Sequence, residues 1–328
     1  MHFFHRPATG LLTSLMLCLA LPSGPATAGP LRDLIKEHRQ ARATADLPVE
    51  NNRAPFDLPA GVTMRSDVAY GSDPRQRMDV YLPAATTPTA TSDKLPVIFM
   101  VHGGGWRTGD KAMGRVVENK VTHWVPKGFI LVSANYRMLP ETRPLEQARD
   151  VARALAKAQA LSGEWGGDGN RFILMGHSAG AHLVALLTAS PVLARQQGAG
   201  HWLGTVALDS AAMDVVQVMQ ARHFRLYDQA FGNDPAIWAA ASPTRQLAAG
   251  AVPLLAVCSS RRDDSCAQAK GLKARADALG VRVEVLPQDL SHKQINEQLG
   301  LPGAYTQAVD AFIATLSQRT PSPPGMTQ

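Results

Sequence analysis

FILMGHSAGAHL, residues 172–183, reads as a buried strand, a sharp turn and the first turns of a helix. Four apolar residues in succession suit a strand covered on both faces. Gly176 and Gly180 bracket Ser178 in a G-x-S-x-G pattern, and the helix is expected to run on to residue 189. A strand that turns straight into a helix needs small neighbours, because the backbone folds back tightly. The turn lifts the Ser178 hydroxyl to the carboxyl end of the strand. It also aims the free N–H groups of the helix start at any negative charge that develops there. Ser178 is the candidate nucleophile, and the N–H of Ala179 is a candidate oxyanion donor.

Further apolar runs lie on either side of this stretch. Residues 96–101 (PVIFMV), 129–134 (FILVSA), 204–208 (GTVAL), 253–257 (PLLAV) and 281–286 (VRVEVL) read as strands. A short antiparallel pair is expected at 68–70 and 78–82, around GSDPRQ. Residues 149–161 and 304–316 have helical spacing. Buried strands alternating with helices predict one doubly wound, mostly parallel sheet flanked by helices, an α/β fold spanning residues 63–318. Residues 211–244 break the alternation and carry Phe224, Tyr227, Phe231 and Trp238, which suggests a small cap-like insertion.

HGGGW, residues 102–106, follows the strand at 96–101 directly. Three glycines let a loop offer backbone N–H groups without side chains in the way, so Gly104 and Gly105 join Ala179 as expected oxyanion donors. His102 is expected to brace the loop. Trp106 either walls a substrate pocket or packs into the core, and His177, inside the turn, is a further pocket candidate. A base is expected in a polar loop near the chain end, and QDLSH, residues 288–292, supplies His292. The loop after the strand at 253–257, CSSRRDDSC, offers two carboxylates for the acid, Asp263 and Asp264, which the sequence does not separate. Asp209, closing the preceding strand, is a less favoured third. Cys258 and Cys266 flank that loop, and a disulfide between them would fasten it. Closing so short a loop stabilises by about 2.5 kcal/mol in the chain-entropy picture.

The chain has 328 residues, 45% of them hydrophobic and 18% charged, as expected of a globular protein rather than a disordered one. The formal charge of +6 is spread thinly, with no basic run that would track a nucleic acid. Residues 1–28 have the layout of a secretory signal peptide: a weakly basic start, an apolar stretch at 11–21, and Ala26-Thr27-Ala28 as the cleavage site. A periplasmic or secreted protein is expected, without stable membrane insertion after cleavage. Residues 29–62 read as an N-terminal arm and 319–328 as a disordered tail.

Taken together, HGGGW (102–106), NYR (135–137), the helix carrying Asp150, GHSAGAHL (176–183) and SH (291–292) resemble the carboxylesterase group of α/β-hydrolases. Feruloyl-esterase-like and arylformamidase-like enzymes are the nearest types, and the similarity covers residues 65–316. The resemblance implies a Ser-Asp/Glu-His triad, no metal and no cofactor, a small-molecule ester as partner, and Asn135, Tyr136 and Arg137 as braces of the site. The acid loop departs from the group, which usually carries His-Gly and a single Asp where this chain has Cys-Ser and two. The expected activity is hydrolysis of small or aryl carboxylic esters. The alternatives are an arylformamidase-like amide hydrolase, against which the leader argues, and a non-catalytic binding protein on the same scaffold.

Overall fold

Alternate residues of each apolar run belong to opposite faces of one sheet. In the computed structural model, which describes residues 1–2, 56–84 and 94–317, Val97, Phe99 and Val101 enter one core cluster and Ile98 and Met100 another. Phe172 and Leu174 divide from Ile173 and Met175 in the same way. Both faces are covered, so every position along these runs is apolar. Each such side chain taken fully out of water contributes about 1.5–3 kcal/mol. The chain divides into two compact units, Met1–Thr44 and Ala45–Gln328, and the fold and the site both lie in the second. The signal peptide at 1–28, the arm up to residue 55 and the tail at 319–328 fall outside the described residues, apart from residues 1–2.

The first strands, β1 (Thr63–Ala69) and β2 (Arg77–Leu82), form the expected antiparallel pair. Then come β3 (Leu95–Val101), α1 (Gly114–Trp124), β4 (Ile130–Ala134), α2 (Pro144–Leu161), β5 (Gly167–His177) and α3 (Ala179–Ala189). After α4 (Pro191–Arg195) and β6 (Gly204–Leu208), four short helices occupy the insertion: α5 (Val215–Gln220), α6 (Arg225–Phe231), α7 (Pro235–Ala240) and α8 (Pro243–Gln246). The chain continues through β7 (Leu254–Ser259), α9 (Ser265–Asp277), β8 (Val283–Gln288), α10 (His292–Glu297) and α11 (Ala304–Ser317).

The eight strands form one sheet in the order β1-β2-β4-β3-β5-β6-β7-β8. β2 pairs with β4 antiparallel, and every pairing from β4 to β8 is parallel. Val151 and Leu155 of α2 and Leu183 and Leu187 of α3 cover one face. Val117 and Val121 of α1 and Val309, Phe312 and Ile313 of α11 cover the other. This is the expected doubly wound α/β arrangement. Parallel strands end at one common edge, so the loops after β3, β5, β6, β7 and β8 converge there. Among the described residues, no helix is long and apolar enough to cross a membrane.

Candidate active site

Ser178 stands between β5 and α3 in a strained left-handed conformation, φ 55° and ψ −117°. Its N–H still belongs to the sheet and donates to the Leu208 carbonyl at 2.8 Å. The glycines on either side are required by close approach. A Cβ at Gly176 would lie 2.4 Å from the Gly180 carbonyl oxygen, and one at Gly180 only 2.2 Å from the Val101 carbonyl oxygen. The first backbone bond inside α3 runs from His182 N–H to Ser178 O at 3.0 Å, so the Ala179 N–H at the helix start has no partner within the helix.

The glycine loop meets this elbow from β3. Gly103 abuts Ser178, for a Cβ there would come within 2.9 Å of Ser178 Cβ. Gly103 and Gly104 line the cleft beside Ser178 together with His177 and His292. Gly104 and Gly105 both adopt positive φ, 126° and 59°, and Gly105 is buried. His102 is fully buried, stacks on Tyr136 with ring centres 4.6 Å apart, and its carbonyl accepts from the Tyr136 hydroxyl at 3.1 Å. The neighbouring polar residues hold this edge together. Asn135 Oδ1 accepts from the Lys111 N–H at 2.6 Å, and Arg137 pairs with buried Asp150 through two bonds of 2.7 Å.

Trp106 does not line the cleft, so of the two roles considered for it the structure supports core packing. It is buried, its Nε1–H donates to His182 Nδ1 at 3.2 Å, and it meets Tyr227 and Phe231 of the insertion at 5.8 and 5.1 Å. Trp106 also adopts positive φ, 60°.

His292 is the first residue of α10, fixed by a reciprocal cap in which Ser291 and Gln294 bond each other's backbone N–H groups. Its Nε2 lies 3.0 Å from Ser178 Oγ and its Nδ1 2.6 Å from Asp209 Oδ2. At the far end of α10, Lys120 Nζ donates to the Asn296 carbonyl at 2.7 Å, satisfying a last-turn carbonyl. Burial lowers the Lys120 pKa to about 7, an effect the Glu297 carboxylate opposes.

The carboxylate beside His292 is therefore neither of the two that the sequence favours. Asp263 is exposed, and Asp264 faces Arg262, with Oδ1 3.2 Å from Nη2. The carboxylate against the imidazole is Asp209, fully buried at the end of β6 and in a left-handed conformation of its own. It accepts from the Ser259 N–H at 2.7 Å, from the Ser265 hydroxyl, and from Arg262 Nη1 at 2.9 Å, besides His292. Burial alone would raise its pKa. The His292 bond and the Arg262 charge outweigh that and hold the carboxyl well below the usual range. An ionised carboxylate only accepts, so the His292 proton sits on Nδ1 and the Nε2 lone pair faces the Ser178 hydroxyl.

His177 borders the cleft with its ring 4.5 Å from that of His292 and its Nε2–H donating to the His292 carbonyl at 3.0 Å. Burial first, and the neighbouring His292 second, lower its pKa well below the ordinary histidine value, so it stays neutral. Cys258 and Cys266 are joined as a disulfide across the loop that carries Arg262.

Sequence reasoning missed Asp209 as the main candidate, and it missed Arg262 and Gly103 entirely. One signal was present. An Asp directly after the apolar run GTVAL stands where the strand end can bury it, and a buried carboxylate persists only with partners.

The model of the BD-FAE family matches residues 78–272, more than half of the chain, from β2 into α9. The chain belongs to the BD-FAE family. This places it in the esterase group of the α/β-hydrolases. The matched span of this BD-FAE chain takes in the glycine loop, Ser178, Asp209 and the disulfide, and ends before His292. Over 123 residues it is 33% identical to the isoprenylcysteine alpha-carbonyl methylesterase ICME of Arabidopsis thaliana, covering 37% of this chain and 27% of that protein. It is 37% identical over 129 residues to esterase LipC of Mycobacterium tuberculosis, covering 38% of this chain and 30% of that one. The match thus spans 27–30% of these relatives' length. Two solved structures share the fold: esterase B of Lactobacillus rhamnosis, TM-score 0.64, 19% identity, covering 88% of this chain and 94% of that one; and apo Thermogutta terrifontis esterase 2, TM-score 0.64, 19% identity, covering 82% and 99%.

Proposed function

We propose that this BD-FAE chain hydrolyses carboxylic esters through an acyl-enzyme formed on Ser178. One observation carries the reading: an unbroken hydrogen-bonded relay, Ser178 Oγ to His292 Nε2 at 3.0 Å and His292 Nδ1 to Asp209 Oδ2 at 2.6 Å, at the tip of a strained elbow. His292 Nε2 takes the hydroxyl proton as Ser178 Oγ bonds to the ester carbonyl carbon, and the carbonyl oxygen becomes an oxyanion. The Ala179 N–H and the backbone N–H groups of the glycine loop, at Gly104 and Gly105, are the donors for that oxyanion. The alkoxide leaves with the proton from His292. Water then adds to the acyl carbon, losing its proton to His292, and the acid departs as Ser178 recovers its hydrogen. Asp209 stays ionised throughout and stabilises the imidazolium that forms twice in the cycle.

The relatives' names point to ester rather than amide hydrolysis. The cleft at Gly103, Gly104, Thr108, Met113 and Val116 is narrow and partly apolar, which supports small acyl or aryl esters as substrates. A disulfide beside the site, together with the leader, supports a protein that matures in an oxidising compartment.

Incubation with a fluorophosphonate probe is the direct test. One equivalent is expected to attach, with the adduct mapped by mass spectrometry to the peptide containing Ser178. A folded protein that takes up no label, or takes it up elsewhere, would identify the chain as a binding protein on a hydrolase scaffold or move the nucleophile.

A further inference from the structure

The Asp209–His292 pair has a third member. Arg262 Nη1 lies 2.9 Å from Asp209 Oδ2 and 2.9 Å from His292 Nδ1, and its other arm, Nη2, reaches Asp264 at 3.2 Å. The His292 Nδ1 proton already points at Asp209, so the Nη1–H is directed to Asp209 as well. The guanidinium then rests against the edge of the imidazole ring. Its side chain is 22% exposed, within the reach of low-dielectric surroundings, while Asp209 is fully buried. Burial opposes the charge on Arg262, but Asp209 and Asp264 together more than offset it.

We propose that Arg262 is a positioning residue of the relay: its guanidinium fork spans Asp209 and Asp264, fixes the carboxylate against His292, and sets the acidic limit of activity. The assignment rests on the esterase reading of the same site. Two properties of one side chain do separate things. The planar fork holds two carboxylates at once, a geometry an ammonium group does not reproduce. The charge disfavours a second positive charge on the adjacent imidazole. The other groups near His292 leave this role to Arg262. His177 is neutral, Ser178 is uncharged, and the Tyr305 hydroxyl is engaged with the Ile295 carbonyl at 3.0 Å. Lys120 is turned to the Asn296 end of α10, and Lys293 and Glu297 of α10 pair with each other at 3.8 Å. Arg115 lines the same cleft with its Nη2 3.8 Å from Met113 Sδ, Arg261 pairs with Asp289 at 2.7 Å, and Asp264 is occupied by Arg262 itself.

The sign of the pH effect follows from the charge. Below the acidic limb His292 is protonated and cannot accept from Ser178. Removing a neighbouring cation makes that protonation easier, so the limb moves to higher pH. The full chain is assayed with p-nitrophenyl acetate across pH 5 to 9 as wild type, R262Q and R262K. For R262Q the midpoint of the acidic limb in kcat/KM is expected to rise by about half a unit to one unit. Its plateau rate is expected to fall about fivefold as Asp209 loosens. For R262K the limb is expected to return to the wild-type position while the plateau stays about fivefold low, because the charge is restored and the fork is not.

An R262Q limb that superimposes on the wild type, or an R262K plateau equal to wild type, overturns the proposal. Thermal melting shows whether each variant is folded, and if R262Q does not fold the R262K plateau alone decides. A wild-type chain that neither hydrolyses the ester nor takes label at Ser178 would sink the esterase reading instead, so the two failures are told apart.

Discussion

Asp209→Asn is expected to lower kcat by about 10⁴, while the melting temperature shows the protein still folded. The cause is the tautomer more than the lost charge. Asparagine would present an amide N–H to His292 Nδ1, which drives the ring proton to Nε2. The nitrogen 3.0 Å from Ser178 Oγ would then be a donor and could no longer take the hydroxyl proton. The paired control is Asp263→Asn, at an exposed position, expected to stay within about threefold of wild type as surface changes usually do. Asp264 pairs with Arg262, and its loss is expected to cost less than about tenfold. A kinetic comparison of these three substitutions decides between the end of β6 and the loop after β7. Full activity in Asp209→Asn with a collapse in Asp263→Asn would return the acid to the loop.

Ser178→Ala is expected to reduce kcat by about 10⁵–10⁶ with KM within a few fold of wild type, since the hydroxyl matters for the reaction and little for ground-state binding. The backbone adds a second expectation. A non-glycine residue at φ 55° and ψ −117° stores about 1–3 kcal/mol of strain. Ser178→Gly removes the hydroxyl and also that strain, so it is expected to be as inactive as the alanine variant and, by urea denaturation, more stable by about 1 kcal/mol. An inactive glycine variant less stable than the alanine variant would mean that the elbow is not strained.

The parts of the site that were legible in the sequence are those written in contiguous residues. The elbow around Ser178, the glycine loop at 102–105 and His292 in its polar loop each carry their signal within about five positions. The Asp209 assignment depends on something the chain does not spell out locally. The β6–β7 register sets Leu208 beside Val257, and the ladder continues as Asp209 N–H donates to the Val257 carbonyl. That register brings the end of one strand against Ser259 of the next. Two aspartates in the following loop made a stronger local pattern, and one of them proved to hold Arg262. Helices α1 and α9 are absent from the sequence expectations. α9 buries mainly Ala269, Leu272 and Ala276 and shows no bulky apolar stripe by which an amphipathic helix is recognised. α1 carries one, at Val117, Val121 and Trp124, interrupted by the buried Lys120. Trp106 was ambiguous because an aromatic beside a catalytic loop suits either a pocket wall or a core, and only its partners from the insertion separate them.

The Cys258–Cys266 link encloses Ser259 and Arg262 and adjoins Ser265, so three of the four groups on Asp209 come from one tied hairpin. The practical outcome concerns handling. Protein purified or stored with dithiothreitol is expected to lose a large part of its turnover while keeping its circular dichroism spectrum, and to regain it on air oxidation. Measuring free thiols alongside activity would show this, and rates that stay equal across the two buffers would mean the hairpin keeps its shape unaided.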